Sequence, residues 1–208
     1  SIGIAIAPQH GEDAETLIRN ADLALYAAKA DGRGVCRFYR DEMLEGAQNR
    51  KRLEDDLRHA LANDQFHLAY QAVVSTASER IVGYEALLRW EHPLRGAVSP
   101  AEFIPVAEEC GMIEAIGEWV MRTAAAEAAS WPETVRVAVN VSPLQFRSPG
   151  FGSIVLQALA TSGLAPDRLE IEITESVFLD GETGAADRLA QFGADHLRQL
   201  HGDDAGDD

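Results

Sequence analysis

Apolar residues recur along this chain at two periods, and the alternation between them defines its elements. Residues 1 to 7, SIGIAIA, place Ile2, Ile4 and Ile6 at the two-residue period of a strand, and PQHGED follows as a turn. A helical spacing then takes over in Leu17, Ala21, Leu25 and Ala28, with Asp13 placed to cap its start and Gly32 to stop it. VCRFY reads as a second short strand. This strand, helix and strand are too short to enclose a core, so they read as the tail of a domain whose larger part is absent. Residues 41 to 63 carry Met43, Leu44, Leu53, Leu57, Ala60 and Leu61 as a narrow stripe among charges, the pattern of a linking helix.

From residue 65 the pattern becomes strands separated by helices: FHLAYQAVV, IVGYEALLRW, VRVAVNVS and LEIEITES. Between the second and third, SPAE at Ser99 to Glu102 has the form of a capping box with Pro100 at the first helical position, ahead of Phe103, Ile104, Val106 and Ala107. A further helix is expected from Met112 to about Ser130, and SPGFGSIVLQALATSG supplies another that ends near Gly163. The first two strands are compatible with a hairpin. After Trp90 the alternation predicts parallel βα units, and so an α/β fold.

Parity along the strands separates a packing face from a polar one. In GYEALLRW the positions Val82, Tyr84, Ala86, Leu88 and Trp90 are apolar or aromatic and suited to lie under helices, while Glu85 and Arg89 share the opposite face. The acid and the base either pair there or face a ligand. In VRVAVNVS the valines 135, 137, 139 and 141 form one face and leave Asn140 and Ser142 on the other; in LEIEITE, Leu169, Ile171 and Ile173 leave Glu170, Glu172 and Thr174. Glu85, Asn140 and Glu172 thus stand on non-packing faces, each in the second half of its strand. In a parallel βα barrel that end is the mouth, where catalytic groups from several strands meet. Two carboxylates and an amide carbonyl are hard oxygen donors of the kind Mg²⁺ or Mn²⁺ accepts. The alternative reading makes them ordinary solvent-facing positions. His67, which shares a parity with Gln71, reads as a surface or satisfied histidine, and Trp90 and Trp119 as packing residues.

Composition narrows the function classes. The 208 residues are 46% hydrophobic and 25% charged, as in a soluble globular protein of one sizeable or two small domains. A net charge of −16 argues against a nucleic-acid polymer as partner, and a phosphate ligand would need a local arginine or a metal ion. No apolar run approaches the length of a membrane span, and no basic leader precedes the first strand. With no initiator Met, the chain is expected to be an excised piece. Cys36 and Cys110 lack metal-ligand spacing and read as free thiols of a reducing compartment, so a cytoplasmic location is expected, with a parent protein that can be tethered to a membrane.

YEALLRW resembles the signature of EAL domains, the cyclic-di-GMP phosphodiesterases, and YQAVV, EHPLRGAVSPAEFIPVAEECGMI, VNVSPLQF and LEIEITES accompany it in that family's order. The resemblance runs from about residue 50 to residue 182. SIGIAIAP with ADLALYAAKADGRG is similar to the end of a GGDEF domain. The division implied is residues 1 to 40 for the GGDEF end, 41 to 63 for a linking helix and 64 to 208 for the EAL part, with an atypical acidic tail from about 194. The fold implied is roughly the first half of a (β/α) TIM-type barrel behind a small α/β fragment.

By the same resemblance Glu85, Asn140 and Glu172 would be ligands of Mg²⁺ or Mn²⁺, with Glu85 catalytic. Arg89 would hold a phosphate of cyclic-di-GMP, Gln71 would contact it, and Glu175 would brace a nearby active-site loop. Lys29 and Arg33 match positions that contact nucleotide phosphates in cyclases, but the GGDEF loop itself is absent, so cyclase activity is not expected of this chain. A homodimer through the EAL domain is a further expectation. After RLAQFG the family has an apolar strand ending in D-D-F-G-T-G, where this chain reads ADHLRQLHGDDAGDD; Asp203 and Asp204 resemble the paired aspartates without the glycine-rich loop. A premature or out-of-frame end is the preferred explanation, and it predicts impaired turnover. The other reading is a non-catalytic relic, or a module that binds cyclic-di-GMP or dimerises.

Overall fold

The structure is a computed structural model that describes residues 1 to 173, in two compact units that divide between His59 and Ala60. In the first unit β1 (Ile2–Ile4) and β2 (Cys36–Phe38) pair in parallel across α1 (Ala14–Ala30), and α2 (Asp41–Ala60) follows. Asp13 caps α1 by accepting the Thr16 N–H at 2.8 Å, as its position predicts. The face of β1 turned toward α1 is the one bearing Gly3, where a Cβ would meet Ala21 O at 2.0 Å and Leu25 N at 2.2 Å. Only glycine allows so close a helix-to-strand approach. The alternating isoleucines therefore lie on the other face, and Ile2 is exposed. Asn20, Ala24 and Ala28 form the buried line of α1, with Leu17, Ala21 and Leu25 half-buried beside it.

The second unit is built on the sheet order β3 (Phe66–Val74), β4 (Ile81–His92), β6 (Arg136–Val141) and β7 (Leu169–Ile173), with β5 (Gly96–Val98) paired to the end of β4. β3 and β4 form an antiparallel hairpin; β4, β6 and β7 are parallel. Helices α3 (Pro100–Glu109) and α4 (Met112–Ala129) connect β5 to β6, while α5 (Pro143–Arg147) and α6 (Phe151–Ser162) connect β6 to β7. Among the described residues the sheet is open, and the architecture is that of a partial α/β barrel.

The parity reading holds along the middle of the central strands but fails at the start of β4, where Val82 is exposed and Gly83 buried. Ala86, Trp90, Val137, Val139 and Val141 are buried, whereas Glu85 and Arg89 are half-buried and Asn140, Glu170 and Glu172 exposed. Trp90 lies at 1% exposure, with ring centroids 5.7 Å from Phe66 and 5.5 Å from Phe103, and its indole N–H donates to Gln65 Oε1 at 3.0 Å. Trp119 joins the same cluster at 6.3 Å from Phe66. The buried Arg168 guanidinium donates to the carbonyls of Ala128, Val135 and Trp131 at 2.8, 2.9 and 3.4 Å, which ties the entry to β7 to the segment between α4 and β6.

One local expectation is corrected. α3 begins at Pro100 as expected, but the Ser99 side chain makes no capping bond. The Ser99 carbonyl instead takes the N–H groups of both Glu102 and Phe103, at 2.9 and 3.1 Å. A complete capping box forms one connection later, at Ser142 and Gln145, and starts α5, a helix too short to show periodicity. β5 is likewise too short for alternation to reveal.

Trp90→Ala should lower the unfolding free energy by about 3–5 kcal/mol, since it empties the centre of the aromatic cluster. Urea unfolding followed by fluorescence checks this, and a loss under 1 kcal/mol would contradict the packing. Burial, with Glu127 adding to it, pushes the Tyr70 phenol up to about 12. The unfolded phenol ionises near 10, so the stability linked to this phenol is full below pH ~10 and is lost as pH rises through ~12. A 295 nm absorbance titration of wild type minus Tyr70→Phe should show this phenolate forming only at the upper end of that window.

Candidate functional site

Strand register fixes which polar side chains can meet. Gln71 of β3 lies directly opposite Glu85 of β4, and Asn140 of β6 lies opposite Glu172 of β7. Directly paired residues point to the same face of a sheet, so all four share the side away from Trp90 and the valines. Glu85 itself faces Ala138, whose methyl leaves room for Asn140 to reach across. The Asn140 Nδ2–H donates to Glu85 Oε1 at 2.6 Å. That bond leaves Glu85 Oε2 and Asn140 Oδ1 uncommitted to each other, with the Glu172 carboxylate on the neighbouring strand.

Distance decides whether Glu85 and Arg89 pair. Four residues along a strand span about 13 Å, too far for a direct ion pair. Arg89 donates to the Leu88 carbonyl at 2.9 Å and has no carboxylate partner among the described residues. Its cross-strand neighbour is His67, exposed and on the same face. His67 is the surface residue its sequence position predicts, and it lies on the polar face beside Arg89. No periodicity could have indicated this, because it depends on the β3–β4 register.

Toward the strand starts, the exposed Arg136 and Glu170 form an ion pair at 2.9 Å, with Glu170 level with Ala138 and Glu85 and Arg136 level with Gly83. A hollow of ≈ 340 Å³ opens beside it, lined by Gly83, Ala138, Arg136, Glu170 and Glu172 among others. The polar face therefore presents an arginine, then an acid and amide row, then an ion pair. Glu175 lies outside the described residues, as do Asp203 and Asp204.

The donor set suits a hard divalent cation. Two carboxylates and one amide oxygen stand on adjacent strands, and an octahedral ion keeps further positions for water and a phosphate oxygen. Among the described residues no three His, Cys, Asp or Glu side chains form a metal-type cluster, and the third donor of this row is the amide of Asn140. Lys29 and Arg33 lie in and just after α1, in the other unit.

Asn140 and Glu172 stand in the second half of their strands as expected, whereas Glu85 lies in the first half of β4, which runs on to pair with β5. Parallel strands β4, β6 and β7 with helices against one face and oxygen donors on the other are the arrangement of a βα-barrel domain. The chain belongs to the EAL domain family, whose model matches residues 54–201; a second model, diguanylate cyclase, GGDEF domain, matches residues 1–35. It is 46% identical over 194 residues to a signaling protein of Caulobacter vibrioides, covering 93% of this chain and 24% of that protein. It is 39% identical over 198 residues to the bifunctional diguanylate cyclase/cyclic di-GMP phosphodiesterase MucR of Pseudomonas aeruginosa, covering 93% and 29%. The solved structure of the PaMucR phosphodiesterase in complex with c-di-GMP superimposes with a TM-score of 0.66 at 39% identity, covering 69% of this chain and 60% of that one. The chain spans 24% to 31% of the length of relatives such as these and the Escherichia coli phosphodiesterase PdeR.

The Glu85 and Asn140 contact should be measurable without any ligand. A double-mutant cycle of Glu85→Ala and Asn140→Ala in urea unfolding is expected to return a coupling of about 0.5–1.5 kcal/mol. Strict additivity would show that the two side chains do not meet.

Proposed function

We propose that this chain is the EAL part of a cyclic-di-GMP phosphodiesterase, in which Glu85, Asn140 and Glu172 hold Mg²⁺ or Mn²⁺ and one phosphodiester bond of the dinucleotide is hydrolysed to the linear product. The observation that carries the reading is the row of Glu85, Asn140 and Glu172 on one face, with Arg89 beyond it. Family membership supports it, as does the resemblance to a relative solved with c-di-GMP.

Each residue then has a physical task. When bound, the ion supplies Lewis acidity toward a phosphoryl oxygen and lowers the pKa of a coordinated water. Asn140 holds the Glu85 carboxylate in one orientation through its Nδ2–H. Arg89, held in place by its bond to the Leu88 carbonyl, has guanidinium N–H groups left to anchor a phosphate by charge-assisted hydrogen bonds. In a chain of net charge −16 that local cation offsets the general repulsion of an anionic ligand. Gln71, opposite Glu85, contacts the dinucleotide from the hairpin side, and Glu175 braces a loop above the site. Residues 1 to 40 are the end of a GGDEF domain, followed by a linking helix over residues 41 to 63. No helix among the described residues is long and apolar enough to cross a membrane; the reading assigns the domain to the cytoplasm and allows a homodimer through it.

The 208-residue chain incubated with cyclic-di-GMP and Mn²⁺ should release linear dinucleotide at a rate that Glu85→Ala lowers at least about 100-fold. Binding of cyclic-di-GMP with no metal-dependent product would replace this reading with that of a binding module. Arg89→Ala should weaken cyclic-di-GMP binding by about 1.5–3 kcal/mol in calorimetry, while Lys29→Ala leaves it unchanged. Equal losses in both variants would contradict the assignment of Arg89.

A further inference from the structure

The residue that follows β6 is held from two helices, α3 and α5. Ser142 donates its hydroxyl to Glu108 Oε1 at 2.6 Å and accepts the Leu144 N–H at 3.2 Å, while its own N–H goes to Gln145 Oε1 at 3.1 Å. Gln145 is buried and pressed against α4, where a Cβ on Gly117 would come within 1.4 Å of Gln145 Nε2. The bonds to Leu144 and Gln145 are the capping box of α5. The bond to Glu108 belongs to no cap. It reaches from the last turn of α3, a place where the helix dipole disfavours an acid, and that turn contains no basic residue. A carboxylate kept there at a cost to its own helix calls for another use. Asn140 lies two residues before Ser142, and Glu108 thus acts on the strand end that carries it.

We propose that Glu108 is a positioning residue for the oxygen-donor row: its carboxylate pins Ser142, fixes the end of β6, and so holds Asn140 where it can bond Glu85 and present its amide oxygen to a cation. The inference rests on the reading of Glu85, Asn140 and Glu172 as metal ligands. Ligand sites tolerate displacements of only about 0.5 Å, so a strand end loosened at Ser142 would weaken metal binding without removing a ligand. Supporting residues of this kind are commonly worth about 10-fold to 100-fold in metal affinity.

The test uses the 208-residue chain with Glu108→Ala and Glu108→Gln, and Glu85→Ala as reference. Mn²⁺ affinity is read from the resonance of free Mn²⁺, the Asn140 side-chain NH₂ from ¹H–¹⁵N spectra of metal-free protein, and folding from the melting temperature. Glu108→Ala should weaken Mn²⁺ binding about 10-fold and move the Asn140 NH₂ signal. Glu108→Gln keeps an oxygen acceptor for the Ser142 hydroxyl and should stay within about threefold of wild type. A Glu108→Ala protein that melts earlier yet binds Mn²⁺ as wild type does, with the Asn140 signal unmoved, would reduce the contact to a structural tie and overturn the proposal. If wild type and Glu85→Ala bind Mn²⁺ alike, the metal reading itself fails. An unmoved Asn140 signal in Glu108→Ala then overturns the positioning role as well.

Discussion

The two-residue period of the central strands is the constraint on which the rest depends. Burial of Ala86, Trp90, Val137, Val139 and Val141 under the helices fixes one face of β4 and β6. A slip of one residue would expose those side chains and bury Glu85 and Asn140, so the apolar face holds the polar face in register. The row of Gln71, Glu85, Asn140 and Glu172 is therefore a consequence of packing on the opposite side of the same strands. Stability and site geometry share one cause.

Around that sheet, local devices set the details. The hairpin between β3 and β4 brings Gln71 and His67 opposite Glu85 and Arg89. Ala138 leaves the gap that Asn140 bridges at 2.6 Å. Arg168 ties the entry to β7 to the carbonyls of Ala128, Val135 and Trp131, so that Glu172 arrives beside Asn140. Each device is a hydrogen bond or a matter of side-chain size at a position where the strand direction was already set.

Much of this was legible in the sequence, for a physical reason. Strands half-covered by helices show parity directly, and Glu85, Asn140 and Glu172 could be assigned to one face before any coordinates. The long helices were legible from their stripes and from stops such as Gly163, which takes φ 71° at the end of α6. What escaped was what periodicity cannot carry. β5 and α5 are shorter than the window a pattern needs. The antiparallel partner of β4 depends on register, so the pairing of His67 with Arg89 was hidden. Nothing in the local pattern singles out Glu108, because its bond to Ser142 joins residues 34 positions apart. The capping box at Ser142 and Gln145 had a readable spacing, whereas the one expected at Ser99 lost its bond to a backbone carbonyl in the same place.

The proposed function requires one divalent ion among Glu85, Asn140 and Glu172. Crystals of the chain grown with Mn²⁺ and examined at the manganese absorption edge test it most directly. A single strong anomalous peak is expected about 2.0–2.3 Å from an oxygen of each of the three side chains, within the range of hard-cation coordination. A map in which manganese lies elsewhere, or in which Asn140 points away from the peak, would contradict it.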